Sequence, residues 1–198
     1  MLVIGITGPT GAGKTTALRT LESLCVRVLD CDAIYHELLR SDAHLRRELI
    51  GRFGDVFDEA GLNRRKLGRL VWNDGVALND LNGITHKYVM AALKGQIEDA
   101  RQNGLPGVAI DAIALLESGA GGLCDTTVAV IAPKETRIAR IMAREGIDRD
   151  YAAARVSAQK DGAWFAEHCD HTLRNDSTES AFQATCLDFF QSLLSSHR

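Results

Sequence analysis

Residues 1–24, MLVIGITGPTGAGKTTALRTLESL, decide the fold. Leu2 to Ile6 is a short, nearly continuous apolar run, which predicts a strand buried on both faces of a parallel sheet. A glycine-dense turn follows, and then Ala17, Leu18, Leu21 and Leu24 recur at helical spacing. Between strand and helix, GPTGAGKT sets Gly8, four further residues, Gly13, Lys14 and Thr15 at the spacing of a phosphate-binding loop. A chain of this length meets that pattern by chance roughly once in a hundred times, and the flanking strand and helix make coincidence rarer.

Each residue type has a physical task in such a loop. Glycine permits positive φ, so backbone N–H groups can converge on phosphate oxygens, and the following helix aims its partially positive N-terminus at the same anion. Lys14 supplies a mobile charge for the β- and γ-phosphates, and the Thr15 hydroxyl is a ligand for Mg²⁺. Gly8, Thr10, Gly11, Ala12, Gly13, Lys14, Thr15 and Thr16 are therefore the candidate residues for ATP.

Further strands are predicted at Arg27 to Leu29, Gly107 to Ile110, Thr127 to Ala132 and His171 to Arg174, with helical patterns between them. That alternation predicts an α/β fold, a P-loop NTPase-type parallel sheet flanked by helices. The segment between the second and third strands is too long for one crossover helix, and 42–53, 64–72 and 84–103 each scan as helix. The expected organisation is one P-loop domain over 1–198, with a core of 1–32, 105–133 and 166–198, a helical lobe at 33–104 and a second insertion at 134–165. A last helix at 179–194 is expected to pack back on the sheet.

Charged residues make up 25% of the 198 and the net charge is −3, mixed along the chain, so no broad attraction to nucleic acid or an anionic membrane is expected. Five cysteines, widely spaced and without a CxxC pair, argue against a disulfide framework or a zinc site. The opening lacks a basic leader, and no stretch approaches a membrane span. A soluble cytoplasmic protein with small-molecule partners is expected; the oligomeric state stays open, and a monomer is compatible with the sequence.

Three features move the prediction from nucleotide holder toward kinase. Asp30 and Asp32, in VLDCD, lie two apart at the end of the second strand, where an extended backbone would turn both to one side. A carboxylate at that edge can orient an acceptor hydroxyl and take its proton, although Asp32 is also placed to cap the helix of AIYHELLR. Asp111 closes the strand GVAID, where a carboxylate supports Mg²⁺ directly or through water, or simply forms a turn. In PKETRIARIMAREG, Arg137, Arg140 and Arg144 lie near one helical face, either a solvated face or the cationic cover that phosphoryl transfer needs. His36, His44 and His197 read as surface residues.

With these residues in place the chain resembles the dephospho-coenzyme A kinases, from the phosphate loop to about Asp176. The family's Asp-x-Asp appears as VLDCD, its FG…G-L-x-R…L as Phe53-Gly54, Gly61-Leu62-Asn63-Arg64 and Leu67, and its I-x-His-Pro-x-Val as ITHKYV with His86. Its D-x-Pro-Leu-Leu-x-Glu is similar to DAIALLE with Asp111 and Glu117. Its Gln-x-x-Arg-x-x-x-Arg corresponds to Arg137, Arg140 and Arg144, followed by Gln159 and by Cys169-Asp170 through Asn175. Lys87 stands for the family's proline, Ile113-Ala114 for its Pro-Leu and Arg137 for its glutamine.

The resemblance implies transfer of the γ-phosphoryl of ATP to the ribose 3′-hydroxyl of dephospho-coenzyme A, the last step of coenzyme A synthesis. It implies Asp32 as catalytic base, with Lys14 and Arg140 also catalytic, and Arg140, Arg144 and Asn175 on ATP. Asp32, Arg64, His86 and Glu117 would hold the acceptor, and Thr15 and Asp111 the metal. The domain would then be a P-loop kinase domain, with 33–104 as its acceptor-binding lobe and 134–165 as its lid. Two alternatives remain: a P-loop kinase for another small nucleotide or alcohol, and a non-catalytic nucleotide switch. The Asn-Lys-x-Asp box of a guanine-specific switch has no match beyond LRND.

Overall fold

The structure, a computed structural model, describes residues 1–197. Its strands are β1 (Leu2–Thr7), β2 (Arg27–Asp30), β3 (Phe57–Asp58), β4 (Gly61–Leu62), β5 (Gly107–Asp111), β6 (Thr126–Ile131) and β7 (His171–Arg174). The helices are α1 (Lys14–Ser23), α2 (Cys31–Ser41), α3 (Ala43–Phe53), α4 (Arg64–Val71), α5 (Gly75–Gln102), α6 (Lys134–Glu145), α7 (Arg149–Ser157), α8 (Gly162–His168) and α9 (Glu179–Ser195). The chain divides into two compact units, one of Met1–Leu29 with Ile97–Arg198 and the other of Asp30–Gln96. Among the described residues no helix is long and apolar enough to cross a membrane.

The first unit is built on the sheet, whose strand order is β2-β5-β1-β6-β7. β1 pairs in parallel with β5 on one side and β6 on the other, and β6 in parallel with β7. All six residues of β1 and of β6 are buried, as their continuous apolar runs require of strands covered on both faces. The register places Ile6 opposite Asp111, so β1 and β5 deliver the glycine loop and that carboxylate to the same edge. Ligands of open parallel sheets bind at this carboxyl edge.

One face of the sheet is covered by α1 and α9. Phe182, Cys186, Phe190 and Leu193 recur every three or four residues of α9 and join Ile4, Ile6, Ala17 and Leu21 in one buried cluster. Burial there pushes the Cys186 thiol up to about 12, so it behaves as a small apolar group.

The second unit has its own core, in which Leu39, Leu45, Leu49, Phe53 and Leu67 from α2, α3 and α4 meet Ala77 of α5. Residues 58–61, DEAG, form the tip of a small antiparallel hairpin, β3–β4. Two boundaries differ from the sequence pattern. Helix α5 begins nine residues before Ile84, because the Asp74 carboxylate caps it by accepting from Val76 N at 2.9 Å and Ala77 N at 3.0 Å. The apolar period is weak over those residues, and the cap replaces it as the start signal.

The second correction concerns the acidic pair. Asp30 ends β2 and is the N-cap of α2, its carboxylate accepting from Asp32 N at 2.8 Å and Ala33 N at 3.0 Å. Asp32 therefore lies inside the first helical turn, and the two carboxylates do not share a side of an extended strand. Asp30 wins the cap because its backbone is still extended, with φ −82° and ψ 110°.

Away from the ligand edge, Asp170 ties the approach to β7 onto β6. Its carboxylate accepts from Thr127 N at 2.7 Å and Thr127 Oγ1 at 2.8 Å, and these bonds, the hydroxyl's first, hold its pKa below the usual carboxyl value. A depressed folded pKa contributes stability above the unfolded value of about 4 and loses it as pH falls through the folded one. Urea midpoints of the native protein should therefore drop as pH falls below about 4. In Asp170→Asn that part of the pH dependence should flatten.

Candidate functional site

The loop begins where β1 stops. Thr7 is fully buried and its hydroxyl donates to Ile113 O at 3.0 Å, which fixes the strand end from which Gly8 departs. At the far end Gly13 has φ 103° and forms the entry to α1. A Cβ there would lie 2.1 Å from Asn175 Nδ2, so both backbone and neighbour require glycine. Helix α1 has no side-chain cap and no acidic residue in its first turn. Its N-terminal N–H groups and partial positive charge are thus left for an anion.

Around this loop lies a concavity of about 370 Å³, lined by Pro9 through Thr15, Asp111, Ile113, Arg140, Arg144 and Arg155. Four cations against one carboxylate make the wall complementary to a polyphosphate. Lys14 Nζ reaches back across the loop to Gly8 O at 3.2 Å. Arg140 donates to Asn175 Oδ1 at 3.0 Å and, more weakly, to Gly11 O and Ala12 O at 3.4 Å. Thr16 is the third residue of α1, its carbonyl accepting from Thr20 Oγ1 at 2.9 Å.

Asn175 stands behind the loop. Only 4% exposed, it donates from Nδ2 to Ala12 O at 2.9 Å while accepting from Arg140, so the end of β7, the loop and α6 are joined through one amide. Arg144 and Arg155 both pair with Glu145, whose carboxyl is held below its ordinary pKa by the Arg144 bond first and the Arg155 bond second. The sequence singled out neither Arg155 nor Glu145. Their signal is spatial, since α6 and α7 must pack before the three charges meet.

The chemistry of the donor set fits Mg²⁺. Thr15 and Asp111 offer hard oxygen ligands on one wall, and no group of three or more His, Cys, Asp or Glu able to cage a metal occurs among the described residues. An ion that keeps its waters and shares phosphate oxygens needs no such cage.

In the second unit, Asp32 is exposed on the first turn of α2 and His36 follows one turn later on the same face. Arg64, the first residue of α4, places Nη2 3.1 and 3.2 Å from the two ring nitrogens of His36. Burial raises the pKa of the neighbouring Tyr35, and the Arg64 charge opposes that shift. His36 is exposed, as expected of a surface residue, and accompanies Arg64. His86 is half-buried within α5, and the two residues after it, Lys87 and Tyr88, both bond Glu48 of α3, at 2.7 and 2.8 Å. Glu117 belongs to the first unit, exposed on the turn after β5.

Comparison with known proteins gives a consistent result. Residues 2–180 match the family described as dephospho-CoA kinase (CoaE). The dephospho-CoA kinase of Dehalococcoides mccartyi is 36% identical over 161 residues, 80% of this chain and 81% of that protein. A crystal structure from Thermus thermophilus is similar with a TM-score of 0.78 and 31% identity, covering 98% of this chain and 97% of the other. The dephospho-CoA kinase of Campylobacter jejuni shares the fold at a TM-score of 0.72 and 22% identity, over 99% and 98% of the two chains.

The Asn175 amide makes the site open to test. Asn175→Ala strips a buried bond from the Ala12 carbonyl and another from Arg140, so unfolding free energy should fall by about 1–3 kcal/mol in urea titration. Nucleotide affinity, measured by calorimetry on the folded fraction, should weaken with it.

Proposed function

The chain belongs to the dephospho-CoA kinase family, and from that premise we propose that it transfers the γ-phosphoryl group of ATP to the ribose 3′-hydroxyl of dephospho-coenzyme A, giving coenzyme A and ADP. The observation that carries this reading is the cationic concavity built on the glycine loop, with Lys14, Thr15, Asp111, Arg140 and Arg144 around one space.

Phosphoryl transfer asks a protein for position and electrostatic stabilisation more than for covalent chemistry. The loop amides of Gly11 and Gly13 and the α1 N-terminus hold the β- and γ-phosphates, with Gly8, Thr10, Ala12 and Thr16 shaping the loop around them and Asn175 supporting from behind. Lys14 and Arg140 stabilise the charge that spreads over the γ-phosphoryl oxygens as the bond to the leaving oxygen lengthens. Arg144 adds to that field, and 134–165 close over ATP to exclude water. Thr15 and Asp111 would hold Mg²⁺, which would supply positive charge to offset that of the phosphates.

Asp32 is the base. Its carboxylate orients the 3′-hydroxyl and accepts its proton as the oxygen bonds to phosphorus and the β–γ bridging bond breaks, leaving ADP. The α2 cap favours this role over a structural one, because Asp30 already holds the Asp32 and Ala33 amides. A non-catalytic switch, in which Asp32 would be only a cap, loses that explanation. Arg64, His86 and Glu117 bind the acceptor, Arg64 in company with His36. The setting is the cytoplasm, where five scattered cysteines remain thiols.

Purified protein given Mg·ATP and dephospho-coenzyme A should form the 3′-phosphorylated product; turnover no higher than background would reject the reading. Asp32→Asn keeps the size and removes the base, so kcat should fall by about a hundredfold or more while ADP affinity changes by less than about twofold. Lys14→Ala, by contrast, should impair nucleotide binding and turnover together.

A further inference from the structure

Among the described residues Arg137 is the one buried arginine, with 3% of its surface exposed. It does not line the concavity; it stands behind it. Nε donates to Thr10 O at 2.9 Å and Nη2 to Gln159 Oε1 at 3.0 Å. The same Gln159 oxygen accepts from Thr10 N at 3.0 Å, and Gln159 Nε2 donates to Thr10 Oγ1 at 2.9 Å. Every polar group of Thr10 is therefore held, and two side chains from outside the loop do all of it.

Both acceptors of Arg137 are neutral. Among the described residues no carboxylate lies within ion-pair distance of it, and burial alone lowers its pKa without any charged partner contributing. A buried cation with no counter-charge costs the folded protein free energy unless something else repays it. The α6 backbone is close as well: a Cβ on Gly11 would lie 2.9 Å from Arg137 O, so loop and helix touch at the residue after Thr10.

We propose that Arg137 is a positioning residue for the nucleotide: acting through Thr10 and Gln159, it sets the loop's phosphate-facing conformation, and the nucleotide's own phosphates are the counter-charge it lacks. The guanidinium bond to the Thr10 carbonyl polarises the Thr10–Gly11 peptide, whose N–H belongs to a residue of the cavity wall, and so strengthens that donor. The Gln159 bonds fix the plane of the preceding peptide. Arg137 thus raises affinity for the phosphates without touching them.

The inference rests on the nucleotide site proposed above, and wild-type protein separates the two. If the wild type binds no Mg·ADP in calorimetry, the site reading itself fails. If it binds, Arg137→Gln decides the inference. The Mg·ADP dissociation constant should rise at least fivefold, with KM for ATP rising in parallel and KM for dephospho-coenzyme A within twofold. The melting temperature without nucleotide should stay level or increase, since a buried charge has been removed, and the shift on adding Mg·ADP should shrink. A dissociation constant raised less than fivefold overturns the proposal, as does an equal loss for both substrates, which marks a merely structural residue. Gln159→Glu, read by the same criteria, supplies the answer if Arg137→Gln does not fold: a carboxylate there neutralises Arg137 and takes the donor from Thr10 Oγ1, so the same selective loss is expected.

Discussion

The site depends on how a loop of small residues is held rigid along the wall of the concavity. A glycine-rich segment loses more conformational entropy on ordering than any other, and within GPTGAGKT only a few bonds, such as Ala12 N to Pro9 O and Lys14 Nζ to Gly8 O, oppose that loss. The restraint comes from behind. Asn175 holds the Ala12 carbonyl, Arg140 ties Asn175 to α6, and Arg137 with Gln159 holds Thr10. These partners come from α6, from the end of α7 and from β7, so the loop takes its shape only once the C-terminal half of the sheet and its helices have assembled. What the first 24 residues encode is a capacity; the last third of the chain fixes it.

This division explains what could be read in advance. The five strands of the main sheet and the loop were legible because their signals are local: apolar runs, glycines at fixed offsets, a lysine followed by threonine; the two-residue strands β3 and β4 are too short to give such a signal. The helices were legible where apolar residues kept their period and lost where a cap did the work instead, as at Asp74. Asp30 and Asp32 defeated the strand-period argument because the chain changes from extended to helical between them, a change made by the Asp30 carboxylate itself. Arg155, Glu145 and His36 carried no local signal at all. Each acquires its place from a helix that packs beside it, and sequence spacing holds no record of that.

The three departures from the family pattern become intelligible once their contacts are known. Lys87 pairs with Glu48 beside Tyr88, so the residue in the proline position joins α5 to α3, and a helix interior is a place where proline would cost about 3 kcal/mol. Ile113 lends its carbonyl to the Thr7 hydroxyl and its side chain to the cavity wall. That bond is made by backbone and constrains the side chain little, so the position can vary. Arg137 puts a charge, where the family pattern has a neutral amide, in a buried place behind the loop. Of the three it alone alters the electrostatics behind the loop, and the altered field bears on the donor side of the reaction.

Charge in the first unit is accordingly arranged in two layers. The inner layer, Arg137 with neutral partners, is shielded from water and from salt, so its field on the loop is little screened. The outer layer, Arg144 and Arg155 on Glu145, is exposed, partly neutralised and screened. A polyanion entering the concavity competes with Glu145 for the outer arginines and has no competitor for the inner one. Affinity that survives at high salt would then come from the inner layer and the loop amides, and the exposed outer arginines would act on encounter. The same sequence of cations on one helix, which a period plot shows as a single face, thereby serves two tasks that differ only in depth.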